Sequence, residues 1–441
     1  MRKKLFTPLL IAVSILSLNI SAQTTQTFTL KQTIDAGIAA SKTLALSNSK
    51  TSIADTKYEE LASTLLPQVK LQAYYSRLSP IDPFTFTFPG STEPITLFPV
   101  YLNSYQSKLS ASEILFSGFR LKYAMESANY LKQLAQLNAD KDNDEVTLNL
   151  INAWFNLFKI QETQKVIDEN LKQVQQHVVD VTNFSENGLA TENDLLKVQL
   201  LESNMKLQQM DMQNTFEIAN YNLNLMLGLT GSVNIKPDTA GVFANQTLQS
   251  LAYYQQNAIS SRAETKMANT QISMNQDNLK ISQNSVWPTI GVGANLYEAN
   301  PNQRIIPPTN EFRTTWDVGV NMSWDITNLF TNQKNVAEQN ISLQQANTML
   351  EQSTDLIKME VNTCYQQYES SANKLDVLQL ALKQSKQNYD QLNNKYLNNL
   401  ALLSDVTDAQ TAVSQAQINL VVGKADAALA WYKLQKAAGL L

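Results

Sequence analysis

Between Gly118 and Gly188, and again between Gly319 and Gly423, the chain contains neither glycine nor proline. The two residues that most often interrupt a helix are missing over both runs, so each run predicts helix far beyond the ordinary mean of about 11 to 12 residues. At about 1.5 Å per residue, about 70 residues reach about 100 Å. Within the first run, Val146, Leu150, Ala153, Leu157, Ile160, Gln164, Ile167, Leu171, Val174, Val178 and Val181 alternate steps of four and three. That 3.5-residue period, with one polar interruption, is the pattern of a left-handed supercoil. Val406, Ala409, Val413, Ala416 and Leu420 keep a similar spacing after Leu403. Much of the remaining surface is Gln, Asn, Lys and Glu, so these helices pack along seams rather than inside a globular core. Taken alone, the two runs leave a plain fibrous coiled coil as the alternative.

Period-two segments change that reading. Val69, Leu71, Ala73 and Tyr75 share one face of a strand, with Lys70, Gln72 and Tyr74 on the other. Ile290, Val292, Ala294 and Leu296 repeat the alternation, and Trp316, Val318, Val320, Met322 and Trp324 oppose Asp317, Gly319, Asn321 and Ser323. One apolar and one polar face describes a strand between lipid and water. A fourth, less regular segment runs from about Leu102 to Phe116, with Glu113 breaking its pattern. Pro80, Pro83, Pro89, Pro94 and Pro99 separate the first pair of strands, and Pro301, Pro307 and Pro308 the second, which reads as two hairpins with irregular tips. Tyr74, Tyr75, Phe116, Trp287, Trp316 and Trp324 lie on or beside the strands as interfacial anchors would. A soluble β-subdomain with these aromatics as its core is the competing account.

The order helix, strand pair, long helix, turn, helix occurs twice. Gly188-Leu189-Ala190-Thr191-Glu192-Asn193-Asp194-Leu195 aligns with Asn399-Leu400-Ala401-Leu402-Leu403-Ser404-Asp405-Val406 at a constant offset, and the same offset carries Gln199 onto Gln410 and Gly228 onto Gly439. Leu66-Pro67 corresponds to Trp287-Pro288. Residues 23–236 and 237–441 are thus read as two repeats of one plan. Gly188 and Asn399 suit the left-handed residue of a turn, and Gly228 and Gly439 stand where the last helix of each repeat should stop.

Residues 1–22 have the form of a secretory leader: Arg2, Lys3 and Lys4, an apolar run from Leu5 to Leu18, and a small-residue cleavage site ending at Ala22. Removing them leaves 31 Lys and Arg against 39 Asp and Glu, a net charge of −8, which gives nucleic-acid binding no electrostatic basis. A single cysteine, Cys364, permits no internal disulfide, so stability must come from packing or assembly. Past the leader no stretch approaches the roughly 20 apolar residues of a membrane helix, so any membrane crossing must use β-structure. One His, one Cys, no nucleotide loop and no ligand-spaced cluster leave no constellation for nucleophilic, metal or cofactor chemistry. Met205, Met210 and Met212 fit seam filling better than soft-metal handling, and His177, between Val174 and Val178, reads as surface or seam.

Four strands cannot cross a bilayer as an open sheet, because the edge amides would lie unpaired in lipid. Closure needs several copies: two supply eight strands, a barrel filled by its own side chains, and three supply twelve, which begin to leave a lumen. In these features the sequence closely resembles the TolC family of outer-membrane efflux proteins. The resemblance spans nearly all of the chain after the leader and rests on Leu66-Pro67 at the first strand, Leu115-Phe116-Ser117-Gly118-Phe119-Arg120, Gly188-Leu189 before Asp194, and Tyr396 before Asp405-Val406-Thr407-Asp408-Ala409-Gln410. It implies a mixed α and β membrane fold: a homotrimer, a twelve-stranded transmembrane β-barrel in outer-membrane lipid, and an α-helical barrel continuous with it in the periplasm. It further implies docking to a periplasmic adaptor and an inner-membrane pump that supplies the energy.

Asp405 and Asp408, three residues apart, share a helix face. In an inward-facing trimer they would gather six carboxylates, which attract cations. The resemblance assigns them to acidic rings at the periplasmic constriction, and Asp194 and Tyr396 to the network that holds the closed state. Ala401 stands where some members carry a basic lock residue. The plainer account makes Asp405 a cap and Asp408 a solvated first-turn acid. An exported structural or adhesive coiled-coil protein with β-caps is the alternative function; it would wash off membranes, whereas a channel subunit would fractionate with them.

Overall fold

The computed structural model describes residues 25–230, 233–240, 242–243, 247–398 and 400–441; the leader expected at 1–22 and the turn residue Asn399 lie outside them. In chain order the elements are β1 (Thr25–Thr29), α1 (Leu30–Ala40), α2 (Lys42–Ser63), β2 (Gln68–Arg77), β3 (Phe84–Phe86), β4 (Ile95–Phe98), β5 (Asn103–Phe116), α3 (Arg120–Glu186) and α4 (Glu192–Met226). There follow β6 (Asn234–Asp238), α5 (Leu251–Ser261), α6 (Ala263–Gln283), β7 (Thr289–Asn300), β8 (Arg313–Ser323), α7 (Asn328–Thr331), α8 (Gln333–Leu397) and α9 (Leu403–Ala437). The main elements recur in the same order in the two repeats, with β3 and β4 added in the first and α7 in the second. Each opens on an 11-residue helix, α1 or α5, followed by a helix of 22 or 21 residues. Each closes on a helix of 67 or 65 residues and one of 35. Among the described residues no helix is long and apolar enough to cross a membrane.

The chain packs as two compact units, each drawing on both repeats. One comprises residues 25–41, 147–247 and 368–432. Its core gathers Leu30, Ile151, Trp154, Phe155 and Ala425, with Phe158 and Tyr432 against them. Trp154 donates its indole N–H to the carbonyl of Phe28 at 3.1 Å, so the largest buried side chain is also satisfied. The heptad series is buried as its spacing predicts: Leu157, Ile160, Ile167, Leu171, Val174 and Val181 lie in the interior, and the polar Gln164 is half-buried and donates to Gln213 at 2.7 Å. Leu171 and Val174 meet Met205 of α4, which places this methionine in a seam. β1 and β6 form a parallel pair that the sequence reading does not contain.

The other unit comprises residues 42–146, 248–367 and 433–441 and holds the four-stranded sheet β2-β5-β7-β8, antiparallel throughout. The strands coincide with the four alternating segments and run somewhat longer, to Arg77 and Asn300. β3 and β4 add a short antiparallel pair inside the proline-rich connection of the first hairpin.

Candidate functional site

Register decides which side chains share a face of the sheet, because directly opposed residues point the same way. Leu71 stands opposite Leu109, Leu109 opposite Leu296, and Leu296 opposite Trp316. One position along, Val69, Ala111, Ala294 and Val318 make a second apolar row. These apolar rows are open to solvent in the single chain: Leu71 is 72% exposed, Trp316 71% and Val318 65%. The opposite face carries Gln72, Lys108, Tyr297 and Thr315 in one row and Lys70, Ser110, Asn295 and Asp317 in the next. Glu113 opposes Val292 and so interrupts the apolar face, where the sequence already showed a break. β2 and β8 are each paired on one side only, which leaves an unpaired backbone edge at either margin of the sheet. An apolar face this large with two open edges is a wall awaiting lipid and further strands. Tyr75 and Tyr105 are in ring contact at 4.9 Å, and the Trp324 indole donates to the carbonyl of Val286 at 2.9 Å; amphipathic rings with a satisfied polar end suit a lipid–water interface.

The turn between α3 and α4 is closed by Gly188 at φ 71°, with Leu189 donating to the carbonyl of Phe184 at 2.7 Å and Gly188 to that of Ser185 at 3.0 Å. This left-handed cap needs a residue without a Cβ penalty. Gly228 and Gly439 make the same pair of bonds at the ends of α4 and α9, at φ 67° and 68°. Thr191 then caps α4: its hydroxyl accepts from the Asp194 N–H at 3.1 Å and donates to the Asp194 carboxylate at 2.7 Å, while the Thr191 N–H donates to that carboxylate at 3.1 Å. These bonds hold the Asp194 carboxyl below the usual range.

Tyr396 lies beside Asp194 without a hydrogen bond between them among the described residues. It packs with Val178, Ala190 and Leu195 against buried Val181, Val198 and Leu403, and its ring meets Phe184 at 6.3 Å. Burial, and then the charges of Asp194 and Asp180, push its phenol pKa upward. At the start of α9 the buried positions are Leu403, Val406, Ala409, Gln410 and Val413, while Asp405 and Asp408 are both exposed on the face turned away from that seam. One heptad before Tyr396 in α8 comes Tyr389, whose hydroxyl lies 2.9 Å from the His177 imidazole, a contact between residues too far apart in the chain for any local pattern to pair. Among the described residues no group of three or more His, Cys, Asp or Glu could hold a metal ion.

A chain of this design cannot complete its own membrane wall, and the class it defines is the subunit of a TolC-like outer-membrane channel. The chain belongs to the outer membrane efflux protein family, whose profile matches residues 33–229 and 247–440, one stretch in each repeat. No curated protein matches the sequence. Among solved structures the chain is similar to CusC, at 17% identity and a TM-score of 0.79 over 93% of this chain and 92% of that one. It is similar to VceC of Vibrio cholerae at 14% identity and a TM-score of 0.76, over 93% and 96% of the two chains. The open-state MtrE channel of Neisseria gonorrhoeae matches at 15% identity and a TM-score of 0.74, over 93% and 89%. Identities this low establish the shared fold, and the family is one of channels rather than enzymes.

Proposed function

We propose that this chain forms, as a homotrimer, the outer-membrane exit duct of an efflux system, taking substrates delivered by an inner-membrane pump through a periplasmic adaptor. The observation that carries this reading is the open sheet: four strands, an outward apolar face and two unpaired edges. Three copies joined from β2 of one to β8 of the next would supply twelve strands and leave no edge in lipid. The long helices would stand in the periplasm. Asp405 and Asp408, exposed on one face of α9, would ring the axis at its narrow end, and Tyr396 with Asp194 would hold that end closed. Membership of an outer membrane efflux family supports the location.

The test places cysteines on the free edges of β2 and β8 in a chain whose Cys364 is replaced by serine. Oxidation in isolated outer membranes should yield a ladder ending at the trimer, and disruption of the gene should sensitise cells to a subset of toxic compounds. A water-soluble monomer without crosslinks would end the proposal.

A further inference from the structure

We infer that the polar face of the sheet carries an anion-binding collar, formed by Lys108 and Arg304 around the ring of Tyr297, which takes phosphate- or carboxylate-bearing solutes inside the duct. The inference rests on the duct reading above. Arg304 comes from the connection between β7 and β8 and folds back over the polar face: its guanidinium donates to the carbonyl of Trp316 at 3.2 Å and to Asp317 at 2.8 Å, with its centre 5.2 Å from the Tyr297 ring. The fold-back is built in. Asn302, only 4% exposed, accepts from the Arg304 N–H and donates to the carbonyl of Arg313, both at 2.9 Å. On the same ring, the Lys108 ammonium lies 5.5 Å from the centroid, and among the described residues it has no carboxylate partner. Two cations thus lie within 6 Å of the centroid of one aromatic ring, whose quadrupole attracts each of them.

The charge on this wall is unbalanced. Lys70, Lys108 and Arg304 stand against the single carboxylate of Asp317, which already receives bonds from both Arg304 and Asn295. Arg313 is neutralised by Glu311. Glu113 and Glu298 belong to the opposite face, since they oppose Val292 and Ser107 in a register where the apolar residues alternate with the polar. A cavity of about 860 Å³ opens beside the cluster, lined by Gln72, Tyr74, Gln106, Lys108, Tyr297 and Arg304. A guanidinium offers five N–H donors, and the bonds to Trp316 and Asp317 leave some of them for a solute. Repeated around a closed barrel, the cluster becomes a basic ring whose sign is opposite to that of the carboxylates at Asp405 and Asp408. Rings of charged side chains set which ions enter a pore.

The experiment reconstitutes the full-length mature channel in planar bilayers free of lipopolysaccharide. It measures the reversal potential in a KCl gradient and block by inorganic tripolyphosphate added to either side. In Lys108→Gln/Arg304→Gln the chloride-to-potassium permeability ratio should fall by at least about twofold, and block from the barrel side should weaken by about tenfold. Lys108→Arg should behave as the parent. Lys108→Gln alone, which breaks no ion pair, should move both readings the same way and serves if loss of the Arg304–Asp317 pair disturbs the hairpin. Channels whose selectivity and block ignore these substitutions overturn the collar and leave the duct reading standing. A parent protein that forms no channel overturns both.

Discussion

The carboxylate of Asp405 accepts from the backbone N–H of Leu402 at 3.4 Å, repeating in the second repeat the bond that Asp194 makes to Thr191 in the first. The pseudo-equivalent acids therefore share a capping role. Asp405 is exposed as well, so capping and a place in the pore are compatible, and they separate by substitution. Asn keeps a carbonyl oxygen that can accept from the Leu402 N–H, whereas Ala removes the acceptor, at about 1 kcal/mol for a lost hydrogen bond. Asp405→Asn/Asp408→Asn should keep the melting temperature of the parent while lowering potassium selectivity and block by multivalent cations in planar bilayers. If conductance and block stay as in the parent, the two residues do not face the permeation path.

His177 and Tyr389 join α3 to α8 in the same way that the packing of Phe184 with Tyr396 does one heptad further on. Tyr389→Phe removes this bond and should cost about 1 kcal/mol. Burial lowers the His177 pKa against a smaller opposing effect of Asp180, so the folded chain binds the proton less readily than the unfolded one. Stability from neutral His177 is therefore complete above its ordinary value of 6.5 and is lost as pH falls through the lower folded value. Melting temperature should drop between pH 7 and pH 5 by more in the parent than in His177→Gln. Parallel pH profiles would contradict the assignment.

How far the sequence revealed this arrangement depended on the range of each interaction. The four strands of the sheet were legible because a buried or lipid-facing surface forces alternation on consecutive residues, and the α3 seam because a supercoil forces a 3.5-residue step over many turns. β1 and β6 were not. Thr25–Thr29 reads as a polar stretch, Asn234–Asp238 contains Pro237, and neither carries a face pattern strong enough to announce a strand. The cluster of Lys108, Tyr297 and Arg304 and the His177–Tyr389 contact depend on partners far apart in the chain, and no local rule pairs them. The capping box at Thr191 was equally readable in principle, since threonine precedes an acid by three residues. The acid of that box, Asp194, is also the residue that the family resemblance assigns to the gate.

Leu71 and Gln72 are neighbours in β2 whose side chains leave opposite faces of the sheet, so they test which face meets lipid. A lysine at Leu71 would place a charge on the apolar face, where it costs about 2 to 4 kcal/mol at the bilayer midplane, and Gln72→Lys would add one to a face that already carries Lys70 and Lys108. Leu71→Lys should sharply reduce the amount of channel recovered in the outer-membrane fraction, and Gln72→Lys should leave it close to the parent. Equal recovery of the two would mean that the apolar face does not contact lipid.

Arg262 sits at the joint between α5 and α6, with its side chain only 7% exposed. It donates to both oxygens of Glu264 at 2.9 and 3.1 Å, to Glu360 at 2.5 Å, and to the carbonyl of Ala437 at the end of α9 at 3.3 Å. Burial alone would raise the Glu264 pKa, but the two bonds from Arg262 outweigh it and hold the carboxyl below its ordinary value. The same carboxylates raise the Arg262 pKa against the opposing effect of burial. Arg262→Ala leaves Glu264 without its two bonds and the Ala437 carbonyl uncapped, while Glu360 keeps Lys436 at 3.4 Å; with both carboxylates partly open to solvent, the loss should be about 1 to 3 kcal/mol. The sign in pH follows from the depressed Glu264: its contribution is complete above the ordinary value of 4.5 and disappears as pH falls through the lower folded value. The gap in melting temperature between parent and Arg262→Ala should therefore be widest near pH 7 and narrow below pH 4.5, because protonation relieves the Glu264 carboxylate left unpaired in the variant and weakens its bonds in the parent. A gap that stays constant across that range would show that Arg262 contributes packing rather than charge.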